Sequence, residues 1–337
     1  MFKELIYKSA AREPLVRYWR KTRLRGRTVV LTYHEIGEDG DEIEAWTVVR
    51  KSSFVEQIEY LRRHFDIVSL SEAIARMSHD GRGEAPTAVI TLDDGDSGNY
   101  RVLLPLIKSF ELPVTIFAAT RQIQAGAAYW FDRVINAVQG KAILRLDLRD
   151  RGLSNYEVNK YHGPRNWNEI ERLLADLKRL PPASRNETVE HVMRLVSERP
   201  KEDFSQISPL SVTELKELAS CPHVTIGAHS HCHNILTQLT DEEVRRSVIQ
   251  SKELLESWTG KPVEGFAYPN GDYDDRVAEI VREAGFKYAL ATTPRPWKRG
   301  DSLFAIPRIS VGRYDSCDRF KIKLFGGMNQ ILPWRKS

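Results

Sequence analysis

Two hydrophobic periodicities alternate along this chain of 337 residues. Residues 87–92 are β-branched or apolar almost without interruption, which predicts a short buried strand. In the segment after residue 240, Val244, Val248 and Leu255 recur at helical spacing and share one face. Segments of the two kinds follow one another along most of the chain. This order predicts an α/β fold built around a parallel sheet.

Capping motifs indicate where two of the helices begin. Ser53 and Thr240 are each followed, three residues later, by a glutamate, which is the spacing of a capping box. We therefore predict that one helix begins at Ser53 and another at Thr240, the second ending at Gly260. The same patterns predict strands at 28–33, 67–68, 114–118, 266–268 and 287–291, and helices from 71, at 99–110 and at 274–284.

Residues 133–206 interrupt this alternation. The segment is rich in charge and has helical patterns at 166–180 and 186–198. It is too long for a simple loop, because connections in compact domains seldom exceed about 15 residues. We predict a helical insertion beside the active-site face, where it either shapes a substrate groove or forms a dimer contact.

Two acids and a glycine follow the strand at 87–92. Sites in α/β folds form beyond the carboxyl ends of parallel strands, so Asp93 and Asp94 are candidates for chemistry. Neighbouring strand residues point in opposite directions, which favours different roles for the two carboxylates. One would bind a metal and the other would accept a proton. The alternative is an ordinary Asp-Gly turn that closes a strand.

Histidines are concentrated in one short segment. Three of the chain's nine histidines lie within residues 229–233. His229 and His233 are four residues apart, a spacing at which two imidazoles can bind one ion. Imidazole and carboxylate ligands together suit zinc or a similar divalent cation. The nearby Ser230, His231 and Cys232 are predicted to have structural roles only.

These two segments together resemble a known family. Thr91-Leu-Asp-Asp-Gly95 and His229-Ser-His-Cys-His233 are similar to the first two signature motifs of the metal-dependent polysaccharide deacetylases, carbohydrate esterase family four. Further matches to the branch that includes poly-N-acetylglucosamine deacetylases are Leu31-Thr-Tyr-His34, Pro113-Val-Thr-Ile-Phe117, Trp130-Phe-Asp132 and Phe266-Ala-Tyr-Pro269-Asn-Gly271. The matches occur in the expected order from about Thr28 to Val311.

The resemblance implies a distorted (β/α)7 barrel and hydrolytic N-deacetylation of an N-acetylated glycan. It implies that Asp94, His229 and His233 bind Zn²⁺, or alternatively Co²⁺, Ni²⁺ or Fe²⁺. Asp93 would be the general base and His34, in a circularly permuted order, the general acid. The positions implied for the oxyanion or for substrate contact are Asn270, through its backbone N–H, and Tyr268, Pro269, Trp130 and Asp132.

Two positions depart from the family pattern in ways that matter for the site. Ala267 stands where better-known members carry an arginine that orients the base, so Asp93 needs another partner or none. Asn270 replaces an aromatic residue, which bears on substrate preference more than on the chemistry. Two other functions stay open: hydrolysis of a different C–N bond, as in a formamide or cyclic imide, and a non-catalytic glycan-binding module.

Composition and charge bear on location and partners. The chain has no apolar run of transmembrane length and no secretory leader pattern, and its three cysteines are widely spaced. These features predict a cytoplasmic protein. Residues 1–27 carry a net charge of +7 and residues 319–337 one of +5, which leaves −8 for the barrel at 28–318. An acidic body argues against nucleic-acid binding.

The basic ends predict a second kind of contact. Residues 1–27 also contain Phe2, Leu5, Ile6 and Trp19, and residues 319–337 contain Phe325, Ile331, Leu332 and Trp334. Basic residues interleaved with apolar ones suit an anionic membrane surface. We predict peripheral contact with the inner membrane face; a solvated tail is the alternative. The sequence leaves the oligomeric state open.

Overall fold

The computed structural model describes residues 2–41, 45–78, 86–139, 143–159, 164–197 and 207–327. Its strands are β1 (Arg27–Tyr33), β2 (Glu35–Gly37), β3 (Val48–Arg50), β4 (Asp66–Ile67), β5 (Thr87–Leu92), β6 (Val114–Ala118), β7 (Ile143–Asp147), β8 (Asn155–Asn159), β9 (Val224–Ala228), β10 (Gly265–Ala267), β11 (Tyr288–Leu290), β12 (Trp297–Lys298) and β13 (Ile309–Ser310). Its helices are α1 (Phe2–Ala10), α2 (Glu13–Arg23), α3 (Lys51–His64), α4 (Leu70–Ser78), α5 (Leu104–Phe110), α6 (Thr120–Ala125), α7 (Trp130–Val138), α8 (Pro164–Arg179), α9 (Pro182–Ser197), α10 (Val212–Ser220), α11 (Asp241–Thr259), α12 (Asp275–Glu283) and α13 (Cys317–Lys323).

The central sheet curls into a barrel. Its strands lie in the order β11-β10-β9-β6-β5-β1-β12, with β13 beside β1 and β4 beside β5. All of these pairings are parallel except that of β12 with β1. Leu290 of β11 also forms a β-bridge to Ile306, just before β13. The segment that contains Ile306 and β13 therefore contacts β11 at one end of the sheet and β1 at the other. The predicted α/β class and (β/α)7 barrel are confirmed.

Alternation along the strands separates the barrel interior from the layer under the helices. Val30, Val89 and Phe117 belong to one buried cluster, with residues of β10, β11 and β12. Their strand neighbours, such as Leu31 and Ile90, pack in the larger core formed with the outer helices. Side chains of a strand point alternately to its two faces, and here both faces are covered.

The carboxyl ends of the central strands meet at one rim. Tyr33 of β1 pairs with Leu92 of β5, and Ala228 of β9 pairs with Ala118 of β6 and Phe266 of β10. Each of these residues stands at or next to the end of its strand. The residues that follow the strands are therefore gathered at a single rim, as in other barrel enzymes.

One predicted helix start is wrong and the other is confirmed. Thr240 and Glu243 form the full capping box of α11. Helix α3, however, begins at Lys51, so Ser53 lies within its first turn and does not cap it. The carboxylate of Asp39 instead accepts hydrogen bonds from the backbone N–H and hydroxyl of Ser52, at 3.1 and 2.7 Å. A side chain distant along the chain thus replaces the local cap.

The predicted helical insertion at 133–206 contains strands as well as helices. Helices α8 and α9 confirm its two helical patterns, but β7 and β8 form an antiparallel hairpin that was not predicted. The hairpin, α7, α8 and α9 share a hydrophobic core that includes Leu146, Tyr156 and Trp167. The insertion is thus a packed α/β subdomain.

The chain ends are less separate from the barrel than predicted. Helix α13 crosses the predicted boundary at residues 318 and 319, and Phe320 and Phe325 are buried in the main core. Trp19 packs edge to face on Phe325, with ring centroids 5.8 Å apart. Ile331, Leu332 and Trp334 lie outside the described residues. In the described part of the chain, no helix has the length and apolar character needed to cross a bilayer.

Candidate active site

Three side chains converge at the rim as the sequence predicted. His233 Nε2 lies 3.2 Å from His229 Nε2 and 3.0 Å from Asp94 Oδ1, and the latter two atoms are 3.5 Å apart. Among the described residues, Asp94, His229 and His233 form the group whose ligand atoms all lie within 4.8 Å of one another. Asp94 and His229 are buried and His233 is partly buried.

Hydrogen bonding fixes the ring state of His229. Its Nδ1 donates to the carbonyl oxygen of Ala267 at 2.7 Å, so the neutral ring carries its lone pair on Nε2, which faces the cluster. Such a bond on the outer ring nitrogen is the usual support for a metal-binding histidine. Burial opposes protonation of His229, but the charges of Asp93 and Asp94 outweigh it and raise its pKa.

Left-handed backbone turns place two of the three ligands. Asp94 has a φ of 69° and is followed by Gly95 at 85°, so the chain turns sharply as β5 ends. The hydroxyl of Tyr129 donates to the backbone carbonyl of Asp94 at 2.7 Å and holds that turn. His233 also has positive φ, 52°, and its N–H donates to Ser230 Oγ at 3.0 Å. This bond confirms Ser230 as a turn-capping residue.

The ligand spacing fits a tetrahedral divalent ion. Two ligand atoms that are each about 2.0–2.1 Å from such an ion lie about 3.3 Å apart. The three ligand-atom distances within the group are 3.0, 3.2 and 3.5 Å, which lie on both sides of this expected distance. Asp94 is buried, and the Nε2 atoms of His233 and His229 lie 3.0 and 3.5 Å from its Oδ1, a grouping of donor atoms that suits one shared cation. The residues present therefore fit a metal ion.

Asp93 lies beside this group and is paired with an arginine. Arg308 Nη1 and Nη2 donate to its two carboxylate oxygens at 2.6 and 2.7 Å, and the Arg308 side chain is completely buried. Asp93 Oδ2 is 4.0 Å from His229 Nε2. Burial alone would raise the pKa of Asp93, but the guanidinium of Arg308 outweighs it and lowers the pKa. Asp93 is therefore an ionised carboxylate in a fixed orientation.

His34 stands at the end of β1, next to the end of β5. It is partly buried and meets the ring of Trp46 edge to face, with centroids 5.0 Å apart. Its Nδ1 is buried without a hydrogen-bond partner. Removal from water lowers the pKa of His34, against the opposing charges of Asp94 and Asp93. Because Tyr33 of β1 pairs with Leu92 of β5, His34 and Asp93 follow their strands at the same level of the rim.

The predicted site residues in and before the turn after β10 differ in their exposure to solvent. Asn270 is exposed, has a φ of 60°, and its side-chain oxygen contacts Lys178 Nζ. Pro269 is buried under this turn. Tyr268 is completely buried and its hydroxyl donates to the carbonyl of Phe304 at 2.9 Å. The prediction that Tyr268 contacts substrate therefore has no support, because its ring packs in the core.

The two residues implied on α7 also differ in position. Trp130 is partly exposed, and the guanidinium of Arg185 lies 5.1 Å from the centre of its ring. Asp132 is buried, and burial together with the charges of Asp94 and Glu35 raises its pKa well above the usual value. Asp132 is therefore an inward-facing acid, and its burial does not support the prediction that it lines a groove.

The side chains assigned structural roles in the histidine segment lie outside the ligand group. His231 Nδ1 is 2.9 Å from the hydroxyl of Thr120. The sulfur of Cys232 is 4.0 Å from Arg121 Nη1. Both contacts direct these side chains towards α6, which is consistent with the sequence-based interpretation.

Sequence reasoning missed three cationic residues at the site. Arg308 is separated from Asp93 by 215 positions and comes just before the short strand β13. A charged residue within the apolar run Ala305-Ile-Pro-Arg-Ile309 was the available signal. Lys178 and Arg185 lie in the insertion, where charged residues are so common that these two could not be distinguished.

Together, these residues define an α/β barrel that has a candidate metal-ligand group and an adjacent carboxylate at the carboxyl ends of its strands. The family model described as "Polysaccharide deacetylase" matches residues 184–289, which include His229 and His233. The Bacillus subtilis (strain 168) protein YxkH, named as a candidate polysaccharide deacetylase, is 19% identical over 294 residues, or 87% of this chain and 74% of that protein.

Solved structures agree in fold. The Streptococcus pyogenes deacetylase PplD in complex with acetate is 16% identical, with a TM-score of 0.58 over 87% of this chain and 95% of that chain. IcaB from Ammonifex degensii is 17% identical, with a TM-score of 0.57 over 91% of this chain and all of that one. Residues 184–289 thus match the polysaccharide deacetylase family, and the barrel has the fold of solved deacetylases.

Proposed function

We propose that the protein removes acetyl groups from an N-acetylated sugar of a poly- or oligosaccharide, by metal-dependent hydrolysis. The observation that carries this proposal is the adjacency of an Asp-His-His ligand group and an ionised carboxylate, Asp93, that is not part of it. The match of residues 184–289 to the polysaccharide deacetylase family supports the class of bond. The acetate in the PplD structure is the product that such a reaction would release.

Asp94, His229 and His233 would hold the ion. When bound, a divalent metal lowers the pKa of a water molecule towards about 7 and polarises the amide carbonyl. The donor set of two imidazoles and one carboxylate suits zinc best, and cobalt, nickel or iron also use such ligands. His229 is pre-oriented for this task by its bond to Ala267.

Asp93 would act as the general base. It must be ionised to accept a proton from the attacking water, and Arg308 keeps it so. The two-pronged contact also fixes the direction of its oxygens, one of which is 4.0 Å from a ligand nitrogen. Arg308 thereby performs the positioning role for which position 267 offers only an alanine.

His34 would act as the general acid and Asn270 as an oxyanion donor. His34 leaves β1 at the level where Asp93 leaves β5, because Tyr33 and Leu92 are paired. Its imidazolium can give a proton to the departing amine, which is a poor leaving group without one. The backbone N–H of Asn270, in a tight turn at the rim, would bind the developing oxyanion.

Acetate release tests this proposal. Zinc-loaded protein would be incubated with N-acetylglucosamine oligomers and compared with chelated protein, Asp93→Asn and the exposed control Asp150→Asn. We expect zinc-dependent acetate from wild type and from Asp150→Asn, and a loss of about 10²–10⁴-fold in Asp93→Asn. Stoichiometric zinc with no acetate would direct the search to formamides or cyclic imides. Glycan binding without any hydrolysis would favour the non-catalytic module, and failure to bind metal would refute the proposal.

We also propose a cytoplasmic location with peripheral contact at an anionic membrane, through α1 and α2. Leu5, Leu15 and Tyr18 are exposed on these helices among basic residues. Such side chains can enter the headgroup region while lysine and arginine contact anionic lipids. Co-sedimentation with anionic vesicles should fall for Leu15→Glu but not for Leu303→Glu, a comparably exposed leucine on the barrel. Equal binding by the two variants would exclude this surface.

A further inference from the structure

The insertion contributes two cations to the rim of the active site. Lys178 is in the last turn of α8, and Arg185 is in the first turns of α9. Lys178 Nζ contacts the side-chain oxygen of Asn270, in the turn proposed to hold the oxyanion. The guanidinium of Arg185 lies over Trp130 and its Nη2 is 3.4 Å from the side-chain oxygen of Asn234, the residue after His233. The two cations therefore flank the ligand group.

Neither cation has an acidic partner among the described residues. Arg185 is only 8% exposed, and its Nε is buried without a hydrogen-bond partner. Within the described parts of the chain, neither Arg185 nor Lys178 has a carboxylate within ion-pair distance. Burial lowers the pKa of Lys178, and so does the charge of Arg185, while Asp272 and Asp94 oppose this. A buried arginine such as Arg185 is costly unless an anion pairs with it.

The charge of the rest of the barrel makes this placement specific. Residues 133–206 have a net charge of +3 and the rest of 28–318 one of −11, so these cations come from a basic insertion and face an acidic barrel. An arginine presents a planar fork of N–H donors that matches a carboxylate or a phosphate, and its stacking on Trp130 fixes that fork. A lysine adds a mobile point charge.

We propose that Lys178 and Arg185 form an anion subsite, which selects N-acetylated glycans that carry a carboxylate or phosphate group close to the acetamido sugar. This inference rests on the proposed deacetylase function and specifies its substrate class. The neutral acetamide would be placed at the ligand group, while the anionic group would lie between α8, α9 and the Asn270 turn. The insertion would thereby set substrate choice without taking part in the chemistry.

The first test compares acetate release from a neutral N-acetylglucosamine oligomer with release from oligomers that contain uronic acid or sugar phosphate. For Lys178→Gln and Arg185→Gln, we expect kcat/KM for the preferred anionic oligomer to fall about 10- to 100-fold. The loss on the neutral oligomer should be at least tenfold smaller. Arg179→Gln is the control, because Arg179 is the exposed neighbour of Lys178 and pairs with Asp176. Equal losses on neutral and anionic substrates would overturn the proposal.

A binding test separates this inference from the proposed function. Metal-free, chelator-free protein would be titrated with inorganic phosphate and with glucuronate, so that bound metal cannot serve as the anion receptor. We expect one of them to raise the melting temperature of wild type and of Arg179→Gln, but not that of the Lys178→Gln/Arg185→Gln double variant. Anion binding without acetate release would preserve the subsite and refute the deacetylase. Stabilisation that persists in the double variant, or is absent from wild type, would refute the subsite.

Discussion

Arg308 and Asp93 form a buried, two-pronged ion pair with oxygen–nitrogen distances of 2.6 and 2.7 Å. Arg308 comes from the segment before β13 and Asp93 from the end of β5. The guanidinium also reaches the hydroxyl of Thr91 and the carbonyl of Ala291, both at 3.3 Å. These bonds satisfy the donors of a cation that would otherwise be unstable inside the barrel. The pair therefore links closure of the barrel to the ionisation state of the proposed base.

Replacing Arg308 should move the acidic limb of the pH–rate profile. In wild type the pKa of Asp93 lies below its usual value of 3.8, so the base is ionised throughout the working range. In Arg308→Gln the guanidinium that opposes burial is lost, so the pKa of Asp93 rises, and the fraction of active enzyme falls as pH decreases through that higher value. We expect kcat/KM of Arg308→Gln to recover as pH rises, and Arg308→Lys to shift less.

The same substitution should also lower stability. Loss of one partner of a buried pair costs about 3–5 kcal/mol. Chemical denaturation and kcat/KM would therefore be measured on the same preparations. An unshifted acidic limb in folded Arg308→Gln would show that Arg308 supports only the fold.

Replacing His34 should reduce activity most on substrates whose leaving group needs a proton. We expect His34→Gln to reduce kcat on N-acetylated sugars by about 10²–10⁴-fold while bound zinc stays stoichiometric. The kcat of His34→Gln on an aryl acetate should fall much less, because the phenolate leaves without a proton. His223→Gln, a partly buried histidine at the start of β9, is the control. Equal losses on both substrates would contradict a role for His34 as general acid.

Zinc should stabilise the fold, and it should do so less well in acid. Binding to the native state alone contributes about 2.7 kcal/mol when free zinc is 100 times its Kd. The pKa of His229 is raised, so protons compete with the ion as pH falls towards and below that value. The zinc-dependent increase in melting temperature should therefore shrink between pH 8 and pH 5.5. It should vanish in His233→Gln and persist in His231→Gln, whose ring bonds to Thr120.

The sequence predicted what depends on local pattern and missed what depends on distant partners. The strand ending at Leu92 and the His229 segment are local features, and their convergence follows from the parallel order of the strands. Arg308 is a single residue without a motif, and its role exists only because the barrel brings it to Asp93. The start of α3 was misplaced for the same reason, since its cap is Asp39.

The hairpin in the insertion was missed for a different reason. Leu144, Leu146 and Leu148 alternate with charged residues, and this period of two was visible in the sequence. The long helical patterns on its C-terminal side dominated the interpretation of the segment. Lys178 and Arg185 could not be distinguished in the sequence, because their significance lies in their placement at the rim and in the lack of acidic partners among the described residues.

Replacing Gly227 in β9 should lower both the stability of the fold and the activity of the site. A Cβ atom on Gly227 would lie 2.4 Å from two ring carbons of Phe117 and 3.2 Å from the carbonyl oxygen of Gly265. Gly227 is also two residues before His229, and the Arg308 guanidinium lies 5.7 Å from the centre of the Phe117 ring. Displacement of that ring would therefore disturb the contacts that orient Asp93, besides straining the strand that carries a ligand.

We expect Gly227→Ala to cost about 1–3 kcal/mol, the usual effect of overpacking a filled core. Urea denaturation should show a lower midpoint with an unchanged slope. Gly40→Ala is the matched control, because a Cβ there has nothing within 4 Å. In buffer without urea, at a pH where both variants are fully folded, Gly227→Ala should also have a lower kcat/KM than Gly40→Ala. If both variants matched wild type in midpoint and activity, the Phe117 ring would have to be free to move, and the barrel interior would not be what holds Arg308 against Asp93.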